Sequence, residues 1–112
     1  MSDMYILDEH GAPRREYDAT VWGLWFERSS RDRSRIVAQD KDEAAGEGGT
    51  MVSTVFLGLD HNFGATGPPI LWESMILGGP LDGRMRRYTS RDAALEGHAE
   101  LCNAANAARG HT

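Results

Sequence analysis

The stretch from Met51 to Gly79 constrains this chain more than any other. It reads MVSTVFLGLD, then HNFGATGPP, then ILWESMILGG. Val52, Thr54, Val55 and Phe56 fill the first run, and Ile70, Trp72 and Ile76 help fill the second. β-branched and aromatic residues suit a pleated, half-buried surface. Between the runs, His61 to Pro69 carries Asn62, Gly64, Gly67 and the Pro68-Pro69 pair, each of which opposes regular structure. The pattern predicts an antiparallel hairpin with a long loop. Val55, Leu57 and Leu59 are expected on its buried face, together with Trp22, Trp25, Leu95 and Cys102 from elsewhere.

The flanking chain supplies the other elements. Met4 to Leu7 reads as a strand ending in a turn at Asp8 to Pro13, and Arg14 to Tyr17 as a second extended piece. Asp18 suits a helix N-cap, because its carboxylate can accept from free N–H groups of the first turn. Val21, Trp22, Trp25 and Phe26 then recur at i,i+4 on one broad face, and Ser29-Ser30 marks the helix end. Arg31 to Arg35 is a charged connector and Ile36 to Ala38 a strand candidate. Asp40 to Gly49 is acidic, Gly-rich and without apolar period, which predicts a mobile loop. Its Asp40-Lys41-Asp42 lacks the further ligands of a calcium loop and reads as solvated. After a turn at Gly78 to Gly83, Arg84 to Tyr88 reads as an edge strand. Thr89 or Ser90 caps a last helix from about Arg91 to about Ala108. Its Ala94, Leu95, His98, Leu101, Cys102 and Ala105 share one side, and Gly110 is expected to end it. The expectation is a single α+β domain: an antiparallel sheet of three to four main strands with two helices packed on one face.

Charge and composition exclude several classes. A net charge of −5 gives no global reason to bind nucleic acid. One cysteine cannot form an intramolecular disulfide, which fits a reducing cytoplasm. No apolar run reaches the ~20 residues that span a bilayer, and the N-terminus lacks the basic and apolar regions of a signal peptide. No cofactor is implied.

Three segments carry a resemblance: VSTVFLGLDHNFG, GPPILWESMILGGPLDG and RRYTSRDAALEGH. They are similar to a family of small uncharacterised proteins of tailed phages and prophages. Its members read like VSTVWLGLDH, then a PL-F-ETMVF segment, then RY-T--EA--GH. The likeness covers roughly Val52 to His98, and the tryptophan-rich helix and following strand resemble the family more loosely. The chain departs at Trp72 and Ser74, where the family has Phe and Thr, and at Ile76-Leu77 for Val-Phe. The resemblance implies a phage-related origin and supplies no activity.

The strongest polar constellation in the sequence is Asp60, His61, Glu73 and His98. A His/His/carboxylate set could bind zinc or serve as an acid/base pair. The spacing matches no metal motif, so the leading reading is structural: a buried His98 that ties helix to sheet through a backbone carbonyl or Glu73. Cys102, one turn from His98, is expected as a small core residue rather than a nucleophile. Arg84, Arg86, Arg87 and Arg91 beside Tyr88 could hold an anion, against a solvated edge strand. Phe63, flanked by Asn62, either folds back over the sheet end or stands out as a binding anchor. The functional expectation is a non-enzymatic accessory protein that binds a host or phage protein, an inhibitor of bacterial defence among the possibilities, through Asn62, Phe63, Arg84, Arg86 and Arg87. The rivals are a small metal-binding protein or enzyme using His61, Glu73 and His98, and a virion or assembly component.

Overall fold

A computed structural model describes residues 3–42, 49–63 and 66–109. The elements run β1 (Met4–Leu7), β2 (Pro13–Glu16), α1 (Ala19–Arg31), β3 (Ile36–Asp42), β4 (Thr50–Phe56), β5 (Trp72–Leu77), β6 (Met85–Tyr88) and α2 (Arg91–Arg109). β3, β4, β5 and β6 form an antiparallel meander in sequence order, and β1 and β2 form a separate two-stranded ribbon. This is the expected α+β class.

The caps follow from chemistry visible in the sequence. Asp18 Oδ1 accepts from the N–H groups of Thr20 (2.8 Å) and Val21 (3.2 Å), starting α1. Ser90 Oγ accepts from Ala93 N–H, starting α2. α1 runs past the expected Ser29-Ser30 stop to Arg31, because Ser29 turns its hydroxyl onto the Phe26 carbonyl at 3.1 Å and stays helical. The end assigned to Gly110 lies outside the described residues.

The hairpin is present, with its strands paired from Met51 opposite Leu77 to Phe56 opposite Trp72. Its buried face is the opposite of the one expected. Val52, Thr54 and Phe56 are buried, with Trp72, Ser74 and Ile76 beside them, while Val55, Leu57 and Leu59 are only half-buried. The run is apolar at both parities, so alternation alone does not choose a face; α2 chooses it by covering the even positions of β4 and β5. Past Phe56 the chain keeps contact with the other arm of the hairpin, Leu57 N–H donating to Leu71 O and His61 N–H to Ile70 O. Tyr5 N–H also donates to Gly58 O, Asp60 N–H donates to Asp3 O, and Leu59 bridges to Met4, so the segment after β4 serves β1 as well.

Two core clusters result. Val52, Ile76, Leu101 and Ala105 form one under α2, and Phe56, Leu71, Trp72 and Ala94 form the other. The helices contribute unequally. α2 lies on β4 and β5, while α1 lies against β1 and β2 and reaches the sheet through Trp25, edge-on to Phe56 at 6.0 Å. Trp22, Trp25, Leu95 and Cys102, expected to be largely buried, are half-buried. Gly97 explains how closely α2 sits: a Cβ there would come within 2.2 Å of the Tyr88 hydroxyl.

Candidate functional site

β3 extends through Asp42, so Asp40, Lys41 and Asp42 are strand residues rather than the start of the expected loop; residues 43–48 lie outside the described residues. The register explains where Asp40 points. Ile36 pairs with Val55 but Ala38 pairs with Thr54, so one extra residue is accommodated at Val37. In an unbroken ladder Asp40 would oppose Met51 and face away from α2. The bulge sets it opposite Val52 instead, on the covered face.

On that face four polar side chains meet. Thr54 and Ser74 are directly opposed across the β4–β5 pair, fully buried, with their hydroxyls hydrogen-bonded. Thr54 Oγ1 lies 2.7 Å from His98 Nδ1. His98, 5% exposed, sets its Nε2 2.6 Å from Asp40 Oδ2. Cys102 Sγ donates to the same oxygen at 3.6 Å. A carboxylate accepts only, so Nε2 carries the proton of the neutral ring. Nδ1 then accepts from Thr54, and Thr54 accepts from Ser74. Every donor in the chain points toward the Asp40 carboxylate.

The electrostatics follow from this order. The His98 hydrogen bond, with lesser help from that of Cys102, holds the Asp40 carboxyl below its usual range. Partial burial, then the Asp40 charge and hydrogen bond, push the Cys102 thiol up to about 11. A thiol so raised is a poor nucleophile at neutral pH. Thr54 and Ser74 are sealed from any substrate, and the imidazole nitrogen that meets the carboxylate is the one facing away from Thr54. The arrangement binds strand to helix and leaves one polar end open. That end opens on a groove of about 560 Å³ lined by Asp40, Asp42, Thr50, Cys102, Asn103 and Asn106.

The helix-to-sheet role expected of His98 is what the structure has, with Thr54 and Asp40 as partners in place of a carbonyl or Glu73. The proposed His61, Glu73 and His98 grouping does not form. Glu73 points to the uncovered sheet face and pairs with Arg87 at 3.0 Å, and His61 Nδ1 bonds the Leu59 carbonyl at 2.8 Å. Strand alternation also divides the arginines. Arg87 opposes Glu73 while Arg86 reaches Glu100 of α2 at 2.9 Å, so the two point to opposite faces. Arg84 and Arg91 are exposed.

The Asn62–Phe63 site stands apart. Asp60 Oδ1 accepts from both Asn62 N–H (2.8 Å) and Ile70 N–H (2.9 Å), and Asn62 Nδ2 donates to Pro68 O at 3.1 Å. Phe63 is 70% exposed at a left-handed φ of 51° and touches the His61 ring, with centroids 5.4 Å apart. It does not fold over the sheet.

Asp40, Thr54 and Ser74 were missed by sequence reasoning. A signal existed for two of them: Val52-x-Thr54-x-Phe56 and Trp72-x-Ser74-x-Ile76 each put a small hydroxyl midway between large apolar residues. Among the described residues, no helix is long and apolar enough to cross a membrane. Comparison with protein-family models, curated proteins and solved structures finds no significant match.

Proposed function

We propose that this chain is a phage or prophage accessory protein that acts by binding a host or phage protein, with Asn62 and Phe63 as its anchor. The carrying observation is Phe63, a large aromatic 70% exposed on a segment held by hydrogen bonds. A left-handed φ costs a non-glycine residue roughly 1–2 kcal/mol. Here Asp60 accepts from backbone N–H groups on both flanks of the loop, which supports a held conformation beside Phe63. Rigid aromatics lose little entropy on docking and are common hot spots. The inaccessible hydroxyls and raised thiol of the His98 network favour binding over catalysis. The phage setting, and a bacterial defence system as a target, come from the resemblance of the 52–98 region.

The test is capture of partners from host lysate by the wild-type chain and by Phe63→Ala, with a thermal melt of each. Stability should change by no more than about 0.5 kcal/mol, as for surface residues. Affinity for the captured partner should fall by about 2 kcal/mol or more, roughly 30-fold. Undiminished capture by a folded Phe63→Ala protein would refute this assignment.

A further inference from the structure

The geometry points to a binding site for a borderline divalent cation, Zn2+ foremost, with Asp40, His98 and Cys102 as its three protein ligands. Their ligand atoms, Oδ2, Nε2 and Sγ, all lie within 4.8 Å of one another. Zinc bonds of about 2.0–2.3 Å in a tetrahedron separate ligand atoms by about 3.3–3.8 Å. Oδ2 to Sγ is already 3.6 Å, and Nε2 to Oδ2 is 2.6 Å. Admitting an ion asks that the carboxylate swing back while Nε2 and Sγ, within 4.8 Å of each other, close on the ion. Asp40 has that freedom, since its side chain is 69% exposed while that of His98 is 7% exposed. The donor set of one nitrogen, one oxygen and one sulfur suits zinc better than magnesium or calcium, which take oxygen alone.

Two further features support the site. First, His98 and Cys102 sit one helical turn apart, so α2 presents both at a fixed spacing, and the Val37 bulge aims Asp40 at them. The fourth position of the tetrahedron faces the groove, where water or a ligand group can fill it. Second, the far side of the ring is prepared. A ligating histidine donates its other N–H to an outer partner that fixes its orientation. Thr54 Oγ1 occupies that place at 2.7 Å from Nδ1. Hydroxyls both donate and accept. With an ion on Nε2, the Cys102 thiol releases its proton to solvent, and the ring carries its proton on Nδ1, which donates to Thr54 Oγ1. The His98–Thr54 hydrogen bond reverses while its buried heavy atoms stay in place. This site is independent of Phe63, and either assignment can fail alone.

The experiment is titration of the untagged full chain with Co2+, followed by absorption, and with Zn2+, followed by calorimetry. One equivalent of each should bind, and Co2+ should bring a thiolate-to-metal band in the near ultraviolet. Cys102→Ser should abolish that band. Loss of outer partners alone weakens metal sites 10–100-fold, so Asp40→Asn, which loses a direct ligand, should weaken Zn2+ binding by about 100-fold. Both variants keep His98 in place, and circular dichroism checks their folding. Nitrogen-15 spectra of the imidazole should show the proton on Nε2 without metal and on Nδ1 with Zn2+. Three results would overturn the inference: no saturable binding in the micromolar range, binding that both variants leave unchanged, or a His98 tautomer that Zn2+ does not move.

Discussion

The two helices of this protein are held by different physics. α2 lies on the sheet through small residues, Ala94, Gly97 and Ala105, with Leu101 filling the gap and His98 as a polar tie. α1 uses large rings. Trp22 stacks on Phe26 at 4.8 Å, Trp25 meets Phe56, and Trp22 Nε1 donates to the carbonyls of Tyr5 (3.1 Å) and Gly58 (3.0 Å). Arg35 adds its guanidinium over the Phe26 ring at 4.1 Å and a bond to the Phe56 carbonyl. Yet the only fully buried residue of α1 is Ser29, and its Leu24 is 65% exposed. Close approach by small side chains excludes water from the inner face of α2. Aromatic rings fasten α1 by their edges while leaving much of it wet. Ring size in the sequence is therefore a poor guide to which helix belongs to the core.

The largest test of this contrast is a matched pair of truncations. Leu101→Ala opens a cavity in a fully buried site and should cost about 2–5 kcal/mol. Leu24→Ala removes the same atoms from an exposed face of α1 and should stay within about 0.5 kcal/mol. Urea denaturation measures both. Similar values for the two would place the helices in one shared core and end the distinction.

The polar tie of α2 comes next. His98→Ala leaves the buried Thr54 and Ser74 hydroxyls without their outlet to Asp40, at about 1–3 kcal/mol for an unsatisfied buried group. Thr54→Val should cost a similar amount alone, by stranding Nδ1. Because the two residues act through one bond, the double variant should cost less than the sum, with a coupling of about 0.5–3 kcal/mol. Strictly additive losses in a denaturation series would mean that the tie contributes packing only.

How much of this was legible in the sequence differs between the regions in the same way. α2, its cap and the inward side of His98 follow from helical spacing, which survives any choice of tertiary partner. The hairpin also follows, because β-branched runs flank a stretch that cannot be regular. Its buried face does not. Met51 to Leu59 is apolar at both parities, and the decision rests with α2, more than thirty residues away. Asp40 was hidden more deeply, because an acidic residue leading into a Gly-rich stretch reads as loop, and only the bulge at Val37 turns it toward His98. Phe63 could be placed on its loop from sequence but not oriented. Beside it Asp60 accepts from Asn62 N–H and Ile70 N–H, the latter ten residues away, a long-range contact that no local pattern announces.

The smallest expected effect concerns α1 and isolates the indole hydrogen bonds of Trp22. In Trp22→Phe the ring still packs near Phe26 and Gly58, but the indole N–H is lost. That N–H is shared between two carbonyls, and Gly58 O retains the Tyr5 N–H at 2.8 Å. The net loss should therefore be that of one ordinary hydrogen bond, about 1 kcal/mol. The position of the loss matters more than its size. Tyr5 and Gly58 are where β1 joins the segment after β4, so Trp22 pins α1 at the junction of ribbon and sheet. Amide exchange should quicken in β1, β2 and α1 of the variant while β4, β5 and α2 keep wild-type protection. Uniform acceleration across all strands would instead show the ribbon and sheet opening as one unit, with α1 as much a part of the core as α2.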